Sequence, residues 1–454
     1  MNKKSNSRGA PIPTVLRKTG VRVVAGFLLA VSSVPIAVAA EEEIPWLIPP
    51  LDYHGDLWQR PALTGDWAGQ RQQLMDKGLR VDVNLTQTMQ GNVAGGVEDG
   101  LTYVGGVNFG FKLDTGHAGL WPGGLLVVRG EARYGDNNEG NSNSGALLPV
   151  NTDAIYPVIS NEDELTLSEL YYVQFLAKWV GIMAGKISPR DTNIFAHDET
   201  TQFFNTAFNF NPVIGTTIPQ SFLGAGIILI PAPWLMVTTL VLDSEGSADS
   251  SGFDTVFEPG TSVLQSWEAT IKPFGLPGHQ RVGWTWSDKE RIQFTQSRAT
   301  IINTLLCRRF DLFCDTAGLA RVDKDHSFIY DFDQYVYLVP DTADQGVGIF
   351  GRFGLGDEDV NPIGNFFSLG IGGKGMIPGR GNDTFGIAYY YMGLSDKLPQ
   401  IIKNRTQDEQ GGELYYNVAV TPWFHITPDI QIIEPVRTNV DTTVVIGARV
   451  KIDF

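Results

Sequence analysis

The chain has 454 residues, with 50 Asp and Glu against 34 Lys and Arg for a formal charge of −16, and it contains 51 Gly, 25 Pro and 11% aromatic residues. That acidity excludes a binder of phosphate backbones, which needs a basic surface to release counterions, so no nucleic-acid partner is expected. The glycine and proline content fits many short strands and turns and argues against a helical bundle.

The first segment carries Lys3, Lys4, Arg8, Arg17, Lys18 and Arg22 with no acid, followed by the apolar run Val23 to Val34 and the small residues Ala37, Val38, Ala39 and Ala40. This pattern predicts a secretory signal peptide over residues 1–40, because its apolar core is shorter than the about 20 residues a spanning helix requires. Residues 41–78 then form an expected periplasmic segment. It is proline-rich from Ile44 to Pro61, and the stretch Leu63 to Gly78 reads as a short helix, with Asp66 near its positive end and Gly78 as its stop.

From residue 79 onward the pattern becomes one of strands. Leu79, Val81, Val83 and Leu85 alternate with Arg80, Asp82, Asn84 and Thr86, and Tyr103, Val107, Phe109, Phe111 and Leu113 follow. In Leu125 to Tyr134, Leu126, Val128 and Ala132 lie opposite Arg129, Glu131 and Arg133. Arg or Lys at mid-membrane on a lipid face costs about 2 to 4 kcal/mol, so the charged face is the one that meets water. The runs Tyr171 to Trp179, Trp267 to Ile271, Val282 to Trp286, Val347 to Phe353, Phe385 to Tyr391 and Leu414 to Val420 each show a further apolar face. The same parity turns Glu268, Lys272, Arg281, Arg352 and Arg449 with Lys451 inward, where Arg, carboxylate and ring groups match the hydroxyls of a sugar.

Two connections are too long to be ordinary turns. Gly135 to Asp163 is rich in Asn, Ser and Gly, and Ser188 to Pro219 holds Arg190, Asp191, Asn193, His197 and Asp198. Loops longer than about 15 residues without evident structure are usually functional, which makes both of them candidates for a constriction. Cys307 and Cys314 are the only cysteines and lie seven residues apart. In an exported chain they are expected to pair as a disulfide that staples a small loop, with no neighbouring ligands for a metal.

The segment Thr442 to Phe454 alternates strictly, with Thr442, Val444, Ile446, Ala448, Val450, Ile452 and Phe454 on one face and Arg449, Lys451 and Asp453 on the other. One face suits lipid and the other a water-filled lumen, as in the closing strand of an outer-membrane barrel. Alternation alone also fits a secreted, non-channel sugar-binding β-sandwich, whose mark would be solubility without detergent. The fold class expected is therefore all-β: a transmembrane antiparallel β-barrel over residues 79–454, with sixteen strands the central figure for this length. Such a barrel is too wide for its wall side chains to fill. A mean hydropathy near zero agrees with walls that face water on one side.

The run Leu63-Thr64-Gly65-Asp66-Trp67-Ala68-Gly69 with Arg71, Leu74 and Lys77-Gly78-Leu79 resembles the N-terminal signature of the OprB-type carbohydrate-selective porins. Gly181 to Ile187 leading to Asn193 and Phe195, Pro233 to Thr238 ending near Leu242 and Asp243, and the last strand resemble family segments in the same order. The resemblance implies a sixteen-stranded barrel with inward-folded loops that passes glucose and other small sugars passively across the bacterial outer membrane.

No catalytic arrangement appears: the six histidines are scattered, and Gly370 to Gly375 meets the dinucleotide fingerprint without the helix that must follow it. No enzyme activity, metal or cofactor is expected. The substrate or pore-lining residues expected are Arg129, Glu131, Arg133, Asp191, Asn193, His197, Glu268, Arg281, Arg352 and Arg449. The runner-up within transport is a porin for small carboxylic or aromatic acids, drawn by the luminal arginines. Expected partners are small carbohydrates, the lipid and lipopolysaccharide of the outer membrane, the barrel-assembly machinery through Phe454, and further copies of the chain in a homotrimer.

Overall fold

A computed structural model describes residues 46–136, 139–155, 165–190, 192–248, 250–255, 260–310, 314 and 318–454. The expected signal peptide lies outside the described residues. Among those residues, sixteen strands close into one antiparallel barrel. In chain order they are β1 (Leu79–Gly96), β2 (Gly100–Asp114), β3 (Gly124–Gly135), β4 (Leu165–Ala177), β5 (Val180–Ile187), β6 (Phe222–Ala232), β7 (Leu235–Asp243) and β8 (Thr261–Ile271). They continue with β9 (Gly278–Ser287), β10 (Asp325–Leu338), β11 (Gly346–Gly356), β12 (Ile363–Lys374), β13 (Thr384–Leu394), β14 (Glu409–Thr421), β15 (Phe424–Glu434) and β16 (Asp441–Asp453). Each pairs with its neighbours in sequence, and β1 closes on β16 with Leu85 opposite Ile452 and Gly91 opposite Ile446. Closure leaves no free sheet edge, so every wall strand has both ladders paired, and it rules out the sandwich.

The wall has two solvents. Ile182, Ile227, Leu229, Val241, Leu369, Ile371, Ile387, Ile432 and Ile446 are exposed on its outside, while Thr443, Val445 and Arg449 on the opposite face of β16 are buried. The connections sort by length. Residues 178–179, 233–234 and 422–423 are two-residue turns at one rim, and 136–164, 188–221 and 288–324 are long excursions at the other. Outer-membrane barrels keep short turns on the periplasmic side and long loops outside, which orients this one. Exposed Trp121, Trp179, Trp234 and Phe274 stand in the short turns, where an aromatic girdle meets the headgroups.

Two details depart from the sequence reading. The helix before β1 spans only Gln70–Asp76. Trp67 and Ala68 take positive φ angles of 50° and 57° and Gly69 one of 89°, so the chain turns rather than coils before residue 70. Asp66 still serves the helix start, accepting the Gln72 N–H at 2.7 Å. Gly78 is required at the exit: its φ is 76°, and a Cβ there would lie 2.6 Å from the Asp114 carbonyl. The second departure is β4, whose ladder with β3 shifts between Arg129 and Gly130. The bulge exchanges the two faces, so Thr166 and Ser168 point inward above it and Val173 and Phe175 below it. The apolar run from Tyr171 thus faces the interior, where an N-terminal strap covers it. Leu47 and Ile48 join Leu125, Val127, Val173, Phe175, Met183 and Ile187 in one apolar cluster inside the periplasmic end. Leu47 N–H donates to Asp114 at 2.8 Å, and Trp46 stacks on His117 at 3.5 Å between ring centroids.

Lys272 falls just past the end of β8, in an exposed turn, so parity does not apply to it. Cys307 and Cys314 are joined within the 288–324 connection, with Cα atoms 4.9 Å apart.

Candidate functional site

The long connection between β5 and β6 does not cap the outer mouth; it runs into the barrel and reaches the opposite wall. Its aromatic residues Phe195, Phe203, Phe204 and Phe208 are buried. Small wall residues make room for them: a Cβ at Gly348 or Gly372 would overlap the Phe195 ring. Hydrogen bonds between loop and wall fix the loop in place. Asn193 donates to the Phe332 carbonyl at 3.0 Å, Arg352 to the Ala196 carbonyl at 3.0 Å, and Asn211 to the Phe353 carbonyl at 3.0 Å. Arg449 donates to the carbonyls of Thr200 and Gln202 at 2.9 and 2.6 Å, and its guanidinium lies 3.8 Å from the Phe204 ring centroid. The connection between β3 and β4 folds inward as well. Arg133 donates to the Asp153 carbonyl at 2.6 Å and to Asn108 at 2.8 Å, and Gln90 and Gln431 both donate to the Val150 carbonyl.

Two chambers open on the periplasmic side of these loops, and Lys451 and Asp453 line both. Their volumes, 420 and 740 Å³, fall within the about 300–1,000 Å³ typical of small-ligand sites. The first carries five cations, Arg80, Lys112, Arg129, Arg190 and Lys451, against three carboxylates, Asp82, Glu169 and Asp453. The second is lined by His197, Asp198, Tyr335, Asn417 and His425 among others. Partial desolvation raises the pKa of half-buried Asp198, but Lys451, His197 and the hydroxyls of Thr200 and Thr201 outweigh that and hold it well below the usual carboxylate range.

The expected site residues separate into two groups. Arg129 reaches water beside the first chamber and pairs at 2.5 Å with Glu131, which is itself fully buried beneath the chamber wall and also meets Arg190 at 2.6 Å. Arg190 further pairs with Glu199 and, at 3.4 Å, with Glu169. His197 lines the second chamber, its Nδ1 2.8 Å from the Asn193 carbonyl. Glu268 and Arg281 adjoin a pocket too small for a sugar, about 60 Å³, and Arg281 pairs with Glu268 at 3.5 Å and with Asp331 and Asp333 at 2.7 Å each. Arg133, Arg352 and Arg449 face inward but are only 1%, 3% and 0% exposed: the loops cover them, and they act as loop anchors rather than as water-facing pore lining, while Asn193, 0% exposed, belongs to the β5 to β6 loop itself and ties it to the wall. Asp191 lies outside the described residues. The sequence reading missed Asp331 and Asp333, although both share the inward parity of β10 with Asp325 and Ser327. It also missed Lys112 and Glu169, the second because the bulge in β4 breaks parity there.

A closed barrel with inward loops is shared by many porins, and comparison with known proteins decides among them. The family described as carbohydrate-selective porin, OprB family, matches residues 98–454. The chain belongs to this family. Porin B of Pseudomonas aeruginosa is 22% identical over 432 residues, covering 86% of this chain and 91% of that protein. The high-pH structure of Pseudomonas putida OprB superposes with a TM-score of 0.75 at 19% identity, covering 87% of this chain and 99% of that one, and the low-pH structure does so with 0.54 at 16% identity. The protein is thus a sugar-transporting porin of the bacterial outer membrane, a channel and not an enzyme. In this OprB-family porin the inward charges thus divide into groups that line the chambers and groups held beneath the loops.

Proposed function

We propose that glucose and similar small sugars cross this porin past the charged layer of Arg129, Arg190, Lys112 and Lys451 with Glu169, Asp82 and Asp453, held there by weak, exchanging hydrogen bonds. The single observation that carries this reading is the first chamber, where five cations and three carboxylates converge at the foot of the inward loop. Guanidinium and ammonium groups only donate and carboxylates only accept, whereas a sugar hydroxyl does both, so a mixed layer engages a pyranose in many orientations. Each contact replaces one to water, which keeps occupancy short and lets the solute leave. Glucose flux into proteoliposomes, measured for wild type, Arg129→Ala and Arg190→Ala, tests it. A half-saturating concentration that rises in both variants supports the layer as the binding region, and unchanged saturation in both removes it.

The apolar outer wall and the aromatic side chain at the foot of β16 support three further partners: outer-leaflet lipid and lipopolysaccharide, the barrel-assembly machinery acting on Phe454, and a homotrimer that buries part of that wall. Crosslinking in native membranes reads the last.

A further inference from the structure

We infer that Glu409 and Glu413, neither of which touches the water-filled path, are the positioning residues that clip the two inward loops to the far wall as one unit and so set the width of the pore. They lie four residues apart on the inward face of β14 and are 0% and 2% exposed. Each carboxylate takes two consecutive backbone N–H groups from a different loop. Glu409 accepts from Leu147 and, at 3.1 Å, from Leu148 in the connection after β3. Glu413 accepts from Phe204 at 2.6 Å and Asn205 at 2.8 Å in the connection after β5. A carboxyl group with both oxygens on neighbouring amides fixes position and orientation together.

The loops are also tied to each other. Thr152 donates through both its N–H and its hydroxyl to the Phe204 carbonyl, at 2.7 and 2.9 Å, and Asn209 donates to the Thr152 hydroxyl at 3.1 Å. Phe204 therefore has its N–H on one clip and its carbonyl on the other loop. Release at Glu413 frees the residue to which the first loop is bound, and release at Glu409 frees the segment that holds Phe204. Two loops joined in this way move together, so the two clips are energetically coupled.

The test uses full-length porin carrying Glu409→Gln, Glu413→Gln or both. Gln keeps the shape but sets an NH2 donor against one of the two N–H groups, breaking the clip without emptying the site. Wall strand pairing is untouched, and heat-modifiable migration on gels verifies an intact barrel for each variant. Single-channel recording in planar bilayers should show each single variant spending about tenfold more time in a wider state, equivalent to about 1.4 kcal/mol. Proteoliposome swelling should admit a trisaccharide that wild type excludes. The double variant should depart from the product of the two single effects, as two clips coupled through Phe204 require. Wild-type conductance and exclusion in both single variants would overturn the positioning role. A double variant equal to the product would overturn the single-unit claim. Should the Gln variants assemble poorly, Glu413→Asp, which keeps the carboxyl group but shortens the reach, gives the same readouts.

Discussion

Replacement of Arg449 by Ala removes a fully buried anchor of the constriction while leaving the wall intact. Arg449 is completely buried, gives two hydrogen bonds to the Thr200 and Gln202 carbonyls and lies over the Phe204 ring. Hydrogen bonds from a charged donor contribute about 1.5 to 3 kcal/mol each, and a desolvated cation–π contact about 2. The cost of keeping a guanidinium out of water offsets much of that sum, so the net loss is about 3 kcal/mol, the order seen when one member of a buried charged arrangement is removed. At 1.4 kcal/mol per tenfold, release of the segment around Thr200 to Phe204 becomes roughly a hundredfold more frequent. The strand ladder of β16 is main-chain and does not depend on this side chain. Bilayer recordings of R449A should therefore show a barrel of normal heat-resistant mobility whose current flickers to larger conductance, with glucose passing faster and saturating less. R449K keeps the charge but not the two-pronged donor and should fall between. If R449A matched wild type in conductance, noise and saturation, the loop would not be held by its inward contacts and the anchoring argument would fail.

Three further outcomes are expected. Arg129→Ala takes a cation from a layer of five facing three carboxylates, so the reversal potential in a KCl gradient should move toward cation selectivity; no movement would place that layer away from the ion path. Ile48→Asp puts a charge into the apolar cluster under the β3 to β5 wall and forfeits about 1.5 to 3 kcal/mol of burial, which should detach the N-terminal strap and expose it to limited proteolysis from the periplasmic side. Asp198 has its folded pKa depressed, so its contribution is complete above its unfolded value of about 4 and is lost as pH falls below that toward the folded value. Asp198→Asn should therefore be noisier than wild type at neutral pH, and the difference between the two should shrink as the pH falls below about 4.

The barrel was legible in the sequence because a two-residue period states directly which face of a strand meets water. Arg129, Glu131 and Arg133 on β3, and Arg449 with Lys451 on β16, fall on the predicted side. Parity fails where the backbone slips. The bulge in β4 hid Glu169 and turned the run from Tyr171 inward, and no local residue preference marks a bulge of that kind. Parity also says nothing about what lies over a face. Arg133, Arg352 and Arg449 share the alternation of Arg129, yet they are sealed beneath chain that returns from 100 or more positions away in the case of Arg352 and Arg449. Their role follows from a loop path that only tertiary packing decides. The same holds for the strap at Leu47 and Ile48, which the sequence placed only in a proline-rich periplasmic stretch and which the cluster inside the barrel gives a surface to cover.

The most direct measurement is single-channel conductance of the purified porin in a planar bilayer, titrated first with glucose and then with gluconate. Discrete steps are expected, with a current that falls in a saturable way as neutral glucose enters the constriction. Steps that only gluconate blocks would contradict this, by making the arginines a trap for carboxylates rather than part of a sugar path.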